Sequence, residues 1–383
     1  MKKFLSSVLV ALMLCFAFNA RALDINNLPR TIDPGLQGRN HVQGVVVDIK
    51  NKCAYFSFTT LLLKTDLQGK PLGSVKGLTG HLGCLTFDKE NNRIYGSLEY
   101  KNDGIGKGIL KRENNGSSEN VRDAFYIAIF DLDKINRMDM DAEKDNVMKT
   151  VHLQEVVDDY LAKVNANGKT IDHRYGCSGI DGVTFAPMPG DKNGKKYLNV
   201  AYGIYSDTLR TDNDYQVILS YDIKDWGKYE TPLTQGKPHA NGPKKAAKRS
   251  FLFTGNTSYG IQNLCYDSET GDWLAAVYKG HKSQYPNYTL FLIDGSRKAE
   301  KQQLKGFYKP EKGNVIFLKE KGLKDSASGI RGYNFPYGAT GFAPIGDGYF
   351  YISKNFKKDG QQGCELRLYK WVGEPDKAFE RVK

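Results

Sequence analysis

Short apolar runs separated by Asp-, Asn- and Gly-rich turns recur along the chain, and the runs follow a repeating plan. Five segments share it: a loop carrying glycine or a polar residue, a strand, a turn, and a second strand rich in aromatic and small residues. They are His41–Gly44 leading into Val45–Asp48 and Cys53–Phe58; His81–Cys84 into Leu85–Asp88 and Arg93–Tyr100; Gly179–Gly182 into Val183–Pro187 and Tyr197–Tyr205; Gly260–Asn263 into Leu264–Asp267 and Trp273–Lys279; and Pro336–Ala339 into Thr340–Pro344 and Gly348–Asn355. The turns between paired strands, such as Asp48–Lys52, Asp88–Asn92 and Asp267–Asp272, have the polar composition that hairpins need.

Third strands are predicted at Leu61–Leu67, Ala124–Leu132, Gln216–Ile223, Thr289–Ile293 and Glu365–Trp371. Fourth strands are predicted at Gly73–Leu78, Val147–Leu153, Ser250–Thr254, Gly313–Leu318 and Phe379–Lys383. Five four-stranded antiparallel units predict an all-β, five-bladed β-propeller. A lone blade leaves both apolar faces wet, whereas a closed ring buries each face against a neighbour and leaves only short edges. The spacing is uneven, and a six-bladed ring is the alternative, because the long gap between Leu132 and Tyr175 has room for another sheet. In that gap Val151, Val156, Val157, Tyr160 and Leu161 fall on one side of a helix, which would cap the ring.

Composition supports this class. The 383 residues include 40 Gly, 23 Tyr and 19 Phe, a bias toward strands and tight turns, and 40% hydrophobic with 26% charged residues excludes disorder and a polytopic membrane protein. At the amino end, Met1-Lys2-Lys3, an apolar Phe4–Phe18 and the small-x-small Ala20-Arg21-Ala22 predict a cleaved export signal over 1–22, with one propeller domain over 23–383 in the periplasm or outside the cell. The apolar run is shorter than the ~20 residues of a spanning helix, so no integral membrane span is expected in the mature chain. Leu12-Met13-Leu14 before Cys15 is unlike a lipid-anchor site. Losing Lys2, Lys3 and Arg21 lowers the formal charge from +12 to +9. The only basic cluster, Lys244, Lys245, Lys248 and Arg249, reads as a solvated loop, so nucleic acid is not an expected partner. The five remaining cysteines, Cys53, Cys84, Cys177, Cys265 and Cys364, are odd in number and have no zinc spacing. One or two bridges at most would fit, and Cys84 and Cys265 look like core residues.

Propeller geometry gathers the residues just before each innermost strand at the mouth of the central channel, together with the loop after each second strand. Glu99, Asp181 and His81 are the candidate catalytic groups. His41, Gln43, Tyr202, Gln262, Asn263, Lys279, Tyr337, Lys354 and Asn355 are candidate ligand contacts, with Lys279 and Lys354 placed to stabilise negative charge. Carboxylates and amides of this kind would favour calcium over zinc if a divalent cation is bound. Three other patterns fail: Asp139–Thr150 lacks the Gly and Glu of a calcium loop, Gly104–Gly108 lacks a phosphate-loop ending, and Ser178, in Gly176-Cys177-Ser178-Gly179-Ile180, lacks the full glycine flanking of a nucleophile elbow.

The element His41-Val42-Gln43-Gly44 resembles the first-blade Thr-Gln-Gly element of plant-type and bacterial glutaminyl cyclotransferases, with Gln43 as the matching residue. That family carries Glu-Gly in its second blade where this chain has Gly83-Cys84, and a tryptophan-rich pocket where this chain has only Trp226, Trp273 and Trp371 in all. Glu99, Asp181, Gln262 and Asn263 give a looser likeness to lactonase-type propellers. These resemblances imply an exported five-bladed fold with an axial pocket for a small polar or carbohydrate-like ligand. An enzyme of this kind would be a hydrolase, lactonase or cyclotransferase using carboxylate and histidine acid–base chemistry. The competing class is a non-catalytic glycan- or protein-binding scaffold with rim tyrosines as its contacts.

Overall fold

A computed structural model describes residues 23–113 and 122–383, so the proposed signal peptide lies outside the described residues. The chain forms a five-bladed propeller of mainly antiparallel sheets. The first blade is Gly44–Asp48, Cys53–Ser57, Leu62–Asp66 and Pro71–Lys76; the second is His81–Asp88, Arg93–Tyr100, Ala124–Asp131 and Met148–His152. The third is Cys177–Pro187, Lys196–Ile204, Tyr215–Tyr221 and Lys248–Phe253, and the fourth Ser258–Tyr266, Trp273–Tyr278 and Leu290–Ile293. The fifth holds Phe342–Gly346, Tyr349–Lys358 and the long Gln361–Glu374, whose outer edge pairs with both Lys377–Arg381 and the amino-terminal Thr31–Ile32. Joining first and last segments in one sheet closes the ring.

The hydrophobic core explains why the ring has five blades. Adjacent residues of one strand point to opposite faces, and in the first blade Val46 packs toward the second blade with Ile94 and Phe130, while Val45 and Val47 pack toward the fifth with Tyr351 and Leu366. The other three blade interfaces each have their own buried cluster, marked by Phe125 with Val200, by Ile218 with Trp273, and by Leu274 with Phe350. Strands buried on both faces read as continuous apolar runs rather than as alternation, as in Ala124–Asp131.

Two sequence expectations change. The Gly313–Leu318 strand, expected to complete the fourth blade, runs as Lys312–Ile316 parallel to Lys248–Phe253 on the third blade's edge, where Val315 joins Phe251 and Leu304. The end of the run still reaches the fourth blade, where Leu318 bridges Ile293 and the Asp294 N–H donates to the Phe317 carbonyl at 2.8 Å, and the backbone of Tyr333 takes the rest of the outer position, exchanging hydrogen bonds of 2.8 and 3.1 Å with Leu290. The gap after Leu132 holds no sixth blade: it contains the strand Met148–His152, a short helix Gln154–Tyr160 and the hairpin Lys163–Ala166 with Lys169–Asp172. The helix is shorter than the apolar pattern suggested, since Val151 belongs to the strand and Leu161 ends the helix in solvent. The five cysteines of the described residues are all buried and unpaired. No helix among the described residues is long and apolar enough to cross a membrane.

Candidate functional site

Innermost strands of three blades carry a β-bulge at the same repeat position. Register slips lie between Leu82 and Leu85, between Ile180 and Val183, and between Ile261 and Asn263. A bulge adds one residue to a strand and re-aims its side chain. Here the extra residues include Asp181 and Gln262, both more than nine-tenths buried, and Gln262 Nε2 donates to Asp181 Oδ2 at 2.8 Å and to the Tyr259 carbonyl at 2.9 Å. Asn263 crosses the axis: its Nδ2 donates to the carbonyls of Gln43 and Ala339, each at 2.9 Å, and so ties the fourth blade to the first and fifth. Asn355 Nδ2 reaches the Val42 carbonyl nearby at 3.4 Å. Side-chain bridges thus link the first, fourth and fifth blades at this level.

Glu99, near the end of the second blade's second strand, is 4% exposed. Its Oε2 accepts the Ile180 N–H at 3.0 Å, and its Oε1 lies 2.7 Å from Lys101 Nζ and 3.7 Å from His81 Nδ1. Lys101 also donates to the Ser178 carbonyl at 2.9 Å and sits 3.6 Å from Asp103. Two glycines make this packing feasible. A Cβ on Gly179, whose φ is +123°, would stand 2.0 Å from Glu99 Oε2, and one on Gly106, in the helix Gly104–Glu113, would stand 1.9 Å from the Lys101 carbonyl. Lys101 was not among the sequence candidates. The signal existed: it lies two residues beyond Glu99, and a period of two puts both on one face.

Burial governs the charges. Desolvation raises Glu99 above its ordinary range against the pull of Lys101, and raises Asp181 well above it with further help from the Glu99 charge. Burial pulls the Lys101 ammonium down, but Glu99, Asp103 and Asp181 outweigh it and keep Lys101 protonated. His81 is pushed down to about 3, first by burial and then by Lys101 and His41, so it is neutral and its Nδ1 has no hydrogen-bond partner. A cavity of about 470 Å³ opens against His81, Glu99 and Lys101, walled by Tyr100, Ile109 and Leu110 and by a loop around Gln235. Gln235 fixes that loop, accepting from Thr79 N–H at 2.6 Å and Tyr100 OH at 2.9 Å and donating to the Gly77 carbonyl at 2.7 Å. Asp181 and Gln262 lie outside the cavity lining, on the axial side.

The other sequence candidates are spread more widely. His41 is half-buried, lowered by desolvation, and lies 3.0 Å from the Gln43 amide nitrogen. Tyr202 is fully buried between the second and third blades, where its hydroxyl donates to Asp159 at 2.8 Å. Tyr337 packs on Phe335 and Tyr369, with ring centroids 5.7 and 6.4 Å away. Lys279 is exposed, and Lys354 is half-buried on the fifth blade opposite Glu365. A divalent cation does not fit the Glu99 cluster, because the Lys101 ammonium already sits between the Glu99 and Asp103 carboxylates. Among the described residues no group of three or more His, Cys, Asp or Glu side chains is arranged to hold a metal ion.

No family model matches the chain, and no curated protein matches it in sequence. Solved structures similar to it include a luciferin-regenerating enzyme, at 12% identity over 92% of this chain and 99% of that one, with a TM-score of 0.35. Regucalcin, a calcium-binding protein from Agrobacterium tumefaciens, is 11% identical over 91% and 97% of the two chains, with a TM-score of 0.33. The PQQ domain of pyranose dehydrogenase from Coprinopsis cinerea is 10% identical over 87% and 83%, also at 0.33. Values this low assign no activity to this chain.

Proposed function

We propose that this is an exported propeller, periplasmic or extracellular, that binds a small polar or carbohydrate-like molecule in the cavity beside Glu99 and acts on it by hydrolase- or lactonase-like acid–base chemistry. The observation that carries the reading is Glu99 itself, a nearly solvent-free carboxylate held by one ammonium and one backbone N–H on a cavity wall, next to a neutral histidine. Burial raises such a carboxyl above its ordinary range, which makes it a stronger base than an exposed one. Glu99 takes a proton from a water or hydroxyl entering the cavity and returns it to the leaving group, neutral His81 orients the ligand by a hydrogen bond, and Lys101 steadies the negative charge that develops on the ligand. Asp181, with its Gln262 partner, positions the Ile180 segment from behind. The test is a panel of sugar lactones and small esters followed by pH-stat, with binding by calorimetry. Glu99→Gln is expected to lower turnover by about 10²-fold or more with little change in binding. A wild type indistinguishable from Glu99→Gln across the panel, in turnover and in binding, would sink the reading.

One observation favours the non-catalytic alternative. Tyr259 is 45% exposed and held at φ +64°, a left-handed conformation unfavourable for a bulky residue, and its carbonyl supports Gln262 beside Asp181. An exposed ring there offers a flat apolar face to a sugar. If glycan recognition is the function, Tyr259→Ala should weaken oligosaccharide binding about tenfold, a loss that Glu99→Gln would not reproduce.

A further inference from the structure

Leu23 follows Ala20-Arg21-Ala22 directly, and in the fold its backbone nitrogen lies 2.7 Å from Asp347 Oδ2. Asp347 stands at the tip of a Gly346-Asp347-Gly348 hairpin in the fifth blade, where all three residues have positive φ. Its own backbone N–H is taken by Glu269, which fixes the turn and leaves the aspartate carboxylate directed at Leu23. The Leu23 side chain packs against the cluster between the fifth and first blades that also holds Val47 and Ile345. From these two independent facts, the cleavage pattern and the position of one nitrogen, we infer that removal of residues 1–22 creates a Leu23 ammonium that Asp347 captures as an ion pair. The pair is a maturation latch on the seam where the ring closes.

The chemistry is a hydrolysis by a leader peptidase. Water adds across the Ala22–Leu23 bond: the carbonyl carbon takes the hydroxyl, and the departing nitrogen takes the proton. The resulting Ala22 acid ionises, and the amine is protonated at neutral pH. One neutral N–H donor thereby becomes a cation with three donors, and a charge-assisted contact replaces an ordinary one. The latch is specific to the cut chain, because an uncut Leu23 carries an amide and no charge.

The experiment expresses the full chain with its own leader in a Gram-negative host and determines the intact mass of the recovered protein. A mass beginning at Leu23 is expected; a leader still attached, or a different first residue, overturns the inference. The second measurement labels the α-amine with an amine-selective aldehyde at pH 7 in wild type and Asp347→Asn. Labelling several-fold faster in the variant, with a thermal midpoint about 1–2 °C lower, supports capture. Equal labelling rates in a correctly cut chain refute the ion pair while leaving the cleavage site standing.

Discussion

Lys101→Met removes the one buried cation from the second-blade cluster while keeping its length and most of its packing. At the observed 2.7 Å, the gross Coulomb attraction of Lys101 for Glu99 is about 6 kcal/mol at an effective dielectric near 20. Desolvation of both groups consumes part of that, and breaking a buried pair from one side typically costs about 3–5 kcal/mol because the remaining charge is stranded. The loss should be smaller when Glu99 is neutralised as well, so Glu99→Gln with Lys101→Met is expected to recover about 2 kcal/mol relative to the sum of the single changes. The pH dependence has a definite sign. Without Lys101 the Glu99 carboxyl is raised further, and a raised carboxyl contributes stability below its unfolded value near 4.3 that is lost as pH rises through the folded value. The variant's deficit in urea unfolding should therefore be smallest around pH 4–5 and widen toward neutrality. Additive single and double changes, or a deficit that is flat with pH, would refute the claim that Glu99 is held mainly by Lys101.

Three further outcomes follow from the geometry. Gly179→Ala should lower stability by several kcal/mol and release Glu99 from the Ile180 N–H, because the new methyl group would overlap Oε2 and the backbone is left-handed there; urea unfolding together with the Glu99-dependent activity reads both effects. Asn263→Ala withdraws the donor from the Gln43 and Ala339 carbonyls, and a cost of about 2–4 kcal/mol is expected in denaturant unfolding. His152, buried beside His239, is pushed down to about 4, chiefly by desolvation and then by His239. A lowered histidine contributes stability present above its unfolded value near 6.5 and lost as pH falls toward 4; His152→Gln should flatten the stability–pH curve across that window, which thermal melts in matched buffers would read.

The parts of the fold legible in the sequence are those set by local pattern. Each hairpin announces itself through a polar turn between apolar runs, and equivalent turns repeat five times, so blade number and most strand positions follow from period and turn chemistry. Partner choice is not local, and there the sequence reading departs from the structure. The run ending at Ile316 is strand-like in either location, and its place on the third blade is decided by contact of Val315 with Phe251, a residue remote from it in sequence. The site divides in the same way. Repeat phase aims Asp181, Gln262 and Asn263 toward the axis, because bulges at one repeat position re-aim successive inner strands alike, and it pairs His81 with Glu99 across the second blade's ladder. Tyr202 shares that register, but it points into the interface between blades, where burying an aromatic ring and pairing its hydroxyl with Asp159 fills space that the axis does not offer. The sequence reading takes Lys279 and Lys354 from the connections after second strands and does not single out Lys101. A buried lysine is stable only where carboxylates surround it, and that surrounding is assembled from Glu99, Asp103 and the Ser178 carbonyl, which come together only when the second and third blades meet.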